Sequence, residues 1–130
     1  MKLHDACLFR SENHLRAAVK LSQNPDPVYD ASIVHAHRCA EMALRGYLSF
    51  REQDPPPSPE LIALMTLCIG EHPSFRELRN DAVILDPCGS FYSSPETVLV
   101  PEPYDVIEAI DSAQRILLHV KAQIRVELQT

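Results

Sequence analysis

The chain has 130 residues, 45% of them hydrophobic and 23% charged, with a net charge of −6, which fits one globular domain and excludes intrinsic disorder. No apolar run reaches the ~18 residues of a transmembrane helix, and no apolar stretch follows Met1 to mark a signal peptide. An acidic chain lacks the overall basic balance of a polyanion binder, so any nucleic-acid contact must be local. Eleven prolines against three glycines, with few β-branched runs, argue against a β-sandwich or barrel. The prolines instead punctuate five long segments, as expected of a residue that costs ~3 kcal/mol inside a helix.

In chain order, Leu8, Leu15, Ala18, Val19 and Leu21 give an amphipathic helix over about residues 8 to 23. Asn24-Pro25-Asp26-Pro27 then allows only a short extended turn. The next helix runs from about Val28 to Glu52, with Ile33, Ala36, His37, Ala40, Ala43, Leu44 and Tyr47 on its buried face. Its other side carries His35, Arg38, Met42, Arg45, Ser49 and Glu52, and Gly46 inside it points to close packing. Gln53 to Pro57 is a stiff connector. Ser58-Pro59-Glu60 has the form of a helix start: serine cap, proline at the first position, acid in the first turn.

Leu61, Leu64, Met65 and Cys68 share the buried face of that third helix, which Gly70 and Pro73 end. A short fourth helix is capped by Ser74, carries Phe75, Leu78, Ala82 and Leu85 on one stripe, and stops at Pro87. Residues 86–103 read as a long loop pinned by Phe91, Tyr92, Val98, Leu99 and Val100. A last helix over about 104 to 127 has a narrow stripe of Val106, Ile110, Ala113, Leu117, Val120 and Ile124. The expected fold is all-α: an up-and-down bundle of four main helices plus a short fifth, spanning 1–130 as a single domain.

Cys7, Cys39, Cys68 and Cys88 form no C-x-x-C pair and read as reduced thiols, two or three of them in the core of a cytoplasmic protein. No metal site is expected, because the residues three after Glu41, Glu60 and Glu108 are Leu44, Ala63 and Asp111 rather than histidines. His37 reads as a core histidine with a hydrogen-bonded ring. No nucleophile elbow and no glycine-rich phosphate loop occurs, and no cofactor is expected. His35, Arg38, Met42 and Arg45 align two guanidiniums and an imidazole, which suits either a phosphate ligand or a solvated or dimer-facing side neutralised by acids elsewhere. Arg76, Arg79, Asn80 and Asp81 make a second polar cluster; a partly buried Arg79 would need a phosphate or a carboxylate, and Asp86 or Glu41 could supply the latter without any function.

The segment from His35 to Leu48, HAHRCAEMALRGYL, resembles the A-x-x-x-x-A-E-x-A-L-K-A-x-L helix of HEPN domains (higher eukaryotes and prokaryotes nucleotide-binding). Leu15 to Ala18 (LRAA), Tyr29-Asp30 and the order of the remaining segments fit the same family. The resemblance implies a helical bundle, a homodimer, nucleotide or RNA roles, and a minimal nucleotidyltransferase partner in a toxin–antitoxin module. No membrane partner is expected, because no apolar run is long enough to span one. Ribonuclease members carry an arginine, a polar residue and, four to six residues on, a histidine. Arg79-Asn80 matches the opening, but Ile84, Leu85 and Asp86 stand where the histidine would fall, removing the acid–base group.

Ser58-Pro59-Glu60-Leu61 also departs from the family's Thr-His-Asp-Leu, and Phe91-Tyr92-Ser93 keeps only the tyrosine of Arg-Tyr-Pro. The expectation is a non-catalytic HEPN-type protein that binds nucleotide, RNA or a nucleotidyltransferase. Its ligand contacts would come from Arg38, Arg45, Arg79, Asn80 and His35, with Tyr92 stacking on a base. The alternatives are a metal-independent ribonuclease using His72 or His35, and a purely structural interaction module.

Overall fold

A computed structural model describes residues 1–57, 60–91 and 100–130. The helices are α1 (Leu3–Leu21), α2 (Tyr29–Phe50), α3 (Leu61–Glu71), α4 (Arg79–Phe91) and α5 (Pro103–Leu128), with a 3-10 turn (Pro73–Leu78) leading into α4. Among the described residues every regular element is helical, and no helix is long and apolar enough to cross a membrane.

The first helix begins at Leu3, well before the expected residue 8, because its opening turn is fixed by a cap rather than by burial. The Lys2 amide donates to Asp5 Oδ2 at 3.2 Å, while Leu3 is exposed and contributes no periodic signal. The same device opens α5, where the Glu102 amide donates to Asp105 Oδ2 at 2.9 Å and Pro103 takes the first helical position.

The long second helix is central and packs against α1, α3, α4 and α5. Its predicted apolar stripe is buried throughout, and Ser32, Cys39, Glu41, Gly46 and Leu48 are buried as well, as expected of a helix covered on several sides. Helices α1 and α2 run antiparallel with a fixed register. Ser32 Oγ donates to the Ala18 carbonyl at 2.6 Å, and Ser11 Oγ donates to the Cys39 carbonyl at 2.7 Å. Farther along, a Cβ on Gly46 would lie 3.2 Å from Cys7 Cβ, so glycine is what lets the two helices approach.

The end of the bundle is tied by Glu127 of α5, which accepts from Tyr47 Oη at 2.8 Å, Arg51 Nη1 at 2.6 Å and Gln123 Nε2 at 3.0 Å. The stripe of α5 is wider than expected, since Ala109, Ser112 and Ile116 are also buried and Ile110 is only half-buried.

Three expectations need correction. The third helix starts at Leu61 with Glu60 at its N-cap; the predicted serine and proline, Ser58 and Pro59, lie outside the described residues. The Leu61 amide is satisfied across the fold, donating to Asp86 Oδ1 of α4 at 2.9 Å. Ser74 does not cap the fourth helix: His72 caps the 3-10 turn, its Nδ1 accepting from the Ser74 amide at 3.2 Å.

Pro87 does not end α4, which continues to Phe91. Both Pro87 and Val83, the residue four before it, are exposed, so the carbonyl that loses its helical donor lies on the solvent side. Of the residues expected to pin the following loop, Val100 is exposed, and Tyr92, Val98 and Leu99 lie outside the described residues.

Candidate functional site

The register of α1 on α2 builds a basic face. His14 of α1 meets His35 of α2 with their Nδ1 atoms 2.9 Å apart and their rings tilted by 32°. Arg10 lies one turn before His14, and Arg38 lies one turn after His35. Because the helices are antiparallel, both turns lead the same way, which puts the two arginines on one side of the histidine pair and close enough for their charges to act on His14. Arg10 and Arg38 are exposed, and neither makes an ion pair or a side-chain hydrogen bond among the described residues. Burial, then the positive neighbours His35 and Arg38, hold His14 below its ordinary value, with Arg10 adding to them and Glu41 opposing.

Arg45, at the end of the predicted stripe, has a different setting. Its Nε donates to Glu41 Oε2 at 3.0 Å and its Nη1 donates to the Pro56 carbonyl at 2.8 Å. It therefore fastens the proline connector to α2 and neutralises Glu41, the carboxylate that would otherwise compete for Arg38 one turn away.

On another side of α2, His37 is buried against α4. A Cβ built on Gly89 would fall 2.5 Å from His37 Nε2, so the ring occupies the space that any other residue would need. Burial pushes the His37 imidazole down and Arg38 acts in the same direction, while Glu41 and Asp86 oppose them. The hydrogen bond expected for this ring is not seen among the described residues.

Arg79 and Asn80 are exposed at the opposite end of α4. Ten residues separate Arg79 from Gly89, which is about 15 Å of helix. The predicted site residues thus fall into two regions: His35 and Arg38 on the α1–α2 face, and Arg79 and Asn80 beside a shallow depression between α4 and α5. Arg79 is not the partly buried arginine expected. Asp86 caps α3 and Glu41 holds Arg45, so neither carboxylate serves it. The depression is lined by Asn80, Asp81, Arg115 and His119 among others. Buried Asp81 there accepts from Arg115 Nη2 at 2.9 Å and from Ser112 Oγ at 2.9 Å.

His72, an alternative acid–base candidate, is tied to Ser74, whose hydroxyl lies 2.8 Å from His72 Nδ1 and 3.0 Å from His119 Nε2. Tyr92 lies outside the described residues.

The sequence reading missed Arg10 and His14. Their spacing of four placed them on one face of the first helix, but their partners lie more than twenty residues away. All four cysteines are free, with Cys39, Cys68 and Cys88 buried; burial pushes the Cys39 and Cys88 thiols up to about 11. No group of three or more residues able to hold a metal occurs among the described residues.

An antiparallel helical bundle built around one central helix, with a basic seam on one flank, defines the class. The HEPN domain family model matches residues 4–123, and the chain belongs to that family. Two solved structures share the fold. One is ST0689, described as an archaeal HEPN homologue, at 24% identity and a TM-score of 0.73, covering 95% of this chain and 99% of its own. The other is TT1696 from Thermus thermophilus, at 23% identity and a TM-score of 0.77, covering 94% and 98%. No curated protein matches the chain.

Proposed function

We propose that residues 1–130 form one non-catalytic HEPN unit that binds a phosphate-bearing ligand, a nucleotide or an RNA segment, on the α1–α2 face. The observation that carries this reading is the pair of exposed guanidiniums, Arg10 and Arg38, set beside the His14–His35 pair, with Glu41, one turn from Arg38, engaged by Arg45. Charge-assisted hydrogen bonds from guanidinium to phosphate are the strongest such a surface offers. The non-catalytic reading rests on α4. Its Leu85 is buried in the core and its Asp86 caps α3, and these are two of the positions where the ribonuclease pattern places histidine.

The four free cysteines support a cytoplasmic setting. Exposed Tyr104, Ile107, Leu118 and Val126 on α5 support a protein-facing surface, for a second copy of the chain or a minimal nucleotidyltransferase.

The test is titration of ATP and of a short single-stranded RNA at low salt. Arg10→Ala/Arg38→Ala should weaken binding by about tenfold or more, since each lost charge-assisted bond is worth roughly 1.5–3 kcal/mol. Arg79→Ala/Asn80→Ala, at the far end of α4, should leave it unchanged. Wild-type protein that binds neither ligand, or an Arg10→Ala/Arg38→Ala variant of undiminished affinity, would sink the reading.

A further inference from the structure

The histidine pair gives the α1–α2 face a property that two arginines alone would lack. With Nδ1 atoms 2.9 Å apart, one ring must donate and the other accept, so the pair holds a single proton between the two nitrogens. A further proton adds at the donor ring's unprotonated Nε2: that ring becomes an imidazolium, the Nδ1–H···Nδ1 bond stays in place and is now charge-assisted, and the pair gains one positive charge and one N–H donor.

The charged surroundings favour this only when an anion is present. From α1 the pair faces Arg10, and from α2 it faces Arg38 and Glu41. Glu41 is engaged by Arg45. The nearby charges linking α5 to α1 are Lys121 and Glu12, paired with each other at 2.6 Å. Without an anion, burial and the neighbouring guanidiniums oppose charging of His14. A metal is a poor occupant, because two nitrogens lack a third ligand among the described residues and the flanking cations repel it.

We propose that this cluster captures a terminal phosphate monoester, the end group of a nucleotide or of a phosphorylated RNA, and takes up a proton onto the His14–His35 pair as it does so. This rests on the phosphate-binding reading given above. A monoester carries nearly two negative charges and three free oxygens at neutral pH. Two guanidinium forks plus an imidazolium supply more donors and more charge than a singly charged backbone diester can use. Proton uptake makes binding tighter as pH falls toward the histidine range, over a window in which the monoester is still largely a dianion.

The experiment is calorimetric titration of adenosine 5′-monophosphate, adenosine and the dinucleotide ApA. A 5′-phosphorylated RNA oligomer and its unphosphorylated twin form a second pair that separates the free-nucleotide source from the RNA end. Each titration is run just above neutral pH in two buffers of different ionisation enthalpy.

The expected result is at least tenfold tighter binding of the monoester than of ApA or adenosine. Its enthalpy should depend on the buffer in the direction of proton uptake, and His14→Asn/His35→Asn should abolish that dependence. Arg10→Gln/Arg38→Gln, confined to exposed positions that threaten no packing, should remove the binding itself. Equal binding of ApA and the monoester, or monoester binding without proton uptake, overturns this inference and leaves the broader reading standing. Absence of binding by every phosphate ligand overturns both.

Discussion

Replacing Gly89 by alanine tests the contact that seats α4 on the central helix. The added Cβ would lie 2.5, 2.6 and 2.7 Å from His37 Nε2, Cε1 and Cδ2, about an ångström inside the ~3.5–4.0 Å of comfortable non-bonded contact. The His37 ring is 5% exposed and cannot swing away without leaving the core. Overpacking of this kind costs roughly 1–3 kcal/mol. Alanine is favoured over glycine within a helix by about 1 kcal/mol, so Gly89→Ala should lose up to about 2 kcal/mol in the native background.

In His37→Ala the ring is gone, and the same substitution should stabilise by up to about 1 kcal/mol. The cleanest quantity is the difference between those two effects, a coupling of about 1–3 kcal/mol, because the helix preference cancels. Urea unfolding of the wild type, the two single variants and the double variant measures it. Gly89→Ala that stabilises both backgrounds equally would refute the close packing of His37 on α4.

Asp86→Ala should remove the acceptor for the Leu61 amide and cost ~0.5–2 kcal/mol, as loss of an N-cap does, with the first amides of α3 exchanging faster with solvent; Asp86→Asn, which keeps an acceptor, should be milder. His14, His37 and His119 all sit below the ordinary histidine value of 6.5, chiefly because burial opposes their charging. The folded chain thus binds fewer protons than the unfolded one just below that pH, so stability is full above about 6.5 and falls as pH drops through the histidine range. A urea midpoint that holds steady or rises between pH 7 and pH 5 would contradict this.

Legibility in the sequence followed burial. The second and last helices were readable because long apolar stripes at helical spacing survive in α2 and α5, although both stripes proved wider once neighbouring helices covered them. The start of α1 was hidden because its first turn faces water and depends on a polar cap. The length of α4 was underestimated because a proline on a solvent-facing flank breaks no buried hydrogen bond. At the candidate site, exposed Arg38 was readable from the helical wheel. The engagement of Arg45 was half-readable: Glu41 stands four residues before it, but the Pro56 carbonyl arrives only through the fold of the connector. The His14–His35 contact depends on the register between two helices, which buried Ser11, Ser32 and Gly46 set and no local pattern announces.

The burial of α2 on several sides has a consequence for how fast and how firmly its basic flank can respond. The backbone under Arg38 and His35 belongs to the central helix, packed against α1, α3, α4 and α5, so a phosphate bound there as proposed would meet a fixed base and wait for no hinge or loop. What must order is the pair of arginine side chains, at roughly 0.5–1.5 kcal/mol of lost rotamer freedom each. Such exposed chains resample their conformers in picoseconds to nanoseconds. Under the proposed phosphate-binding reading, capture on this face would be ungated by backbone motion.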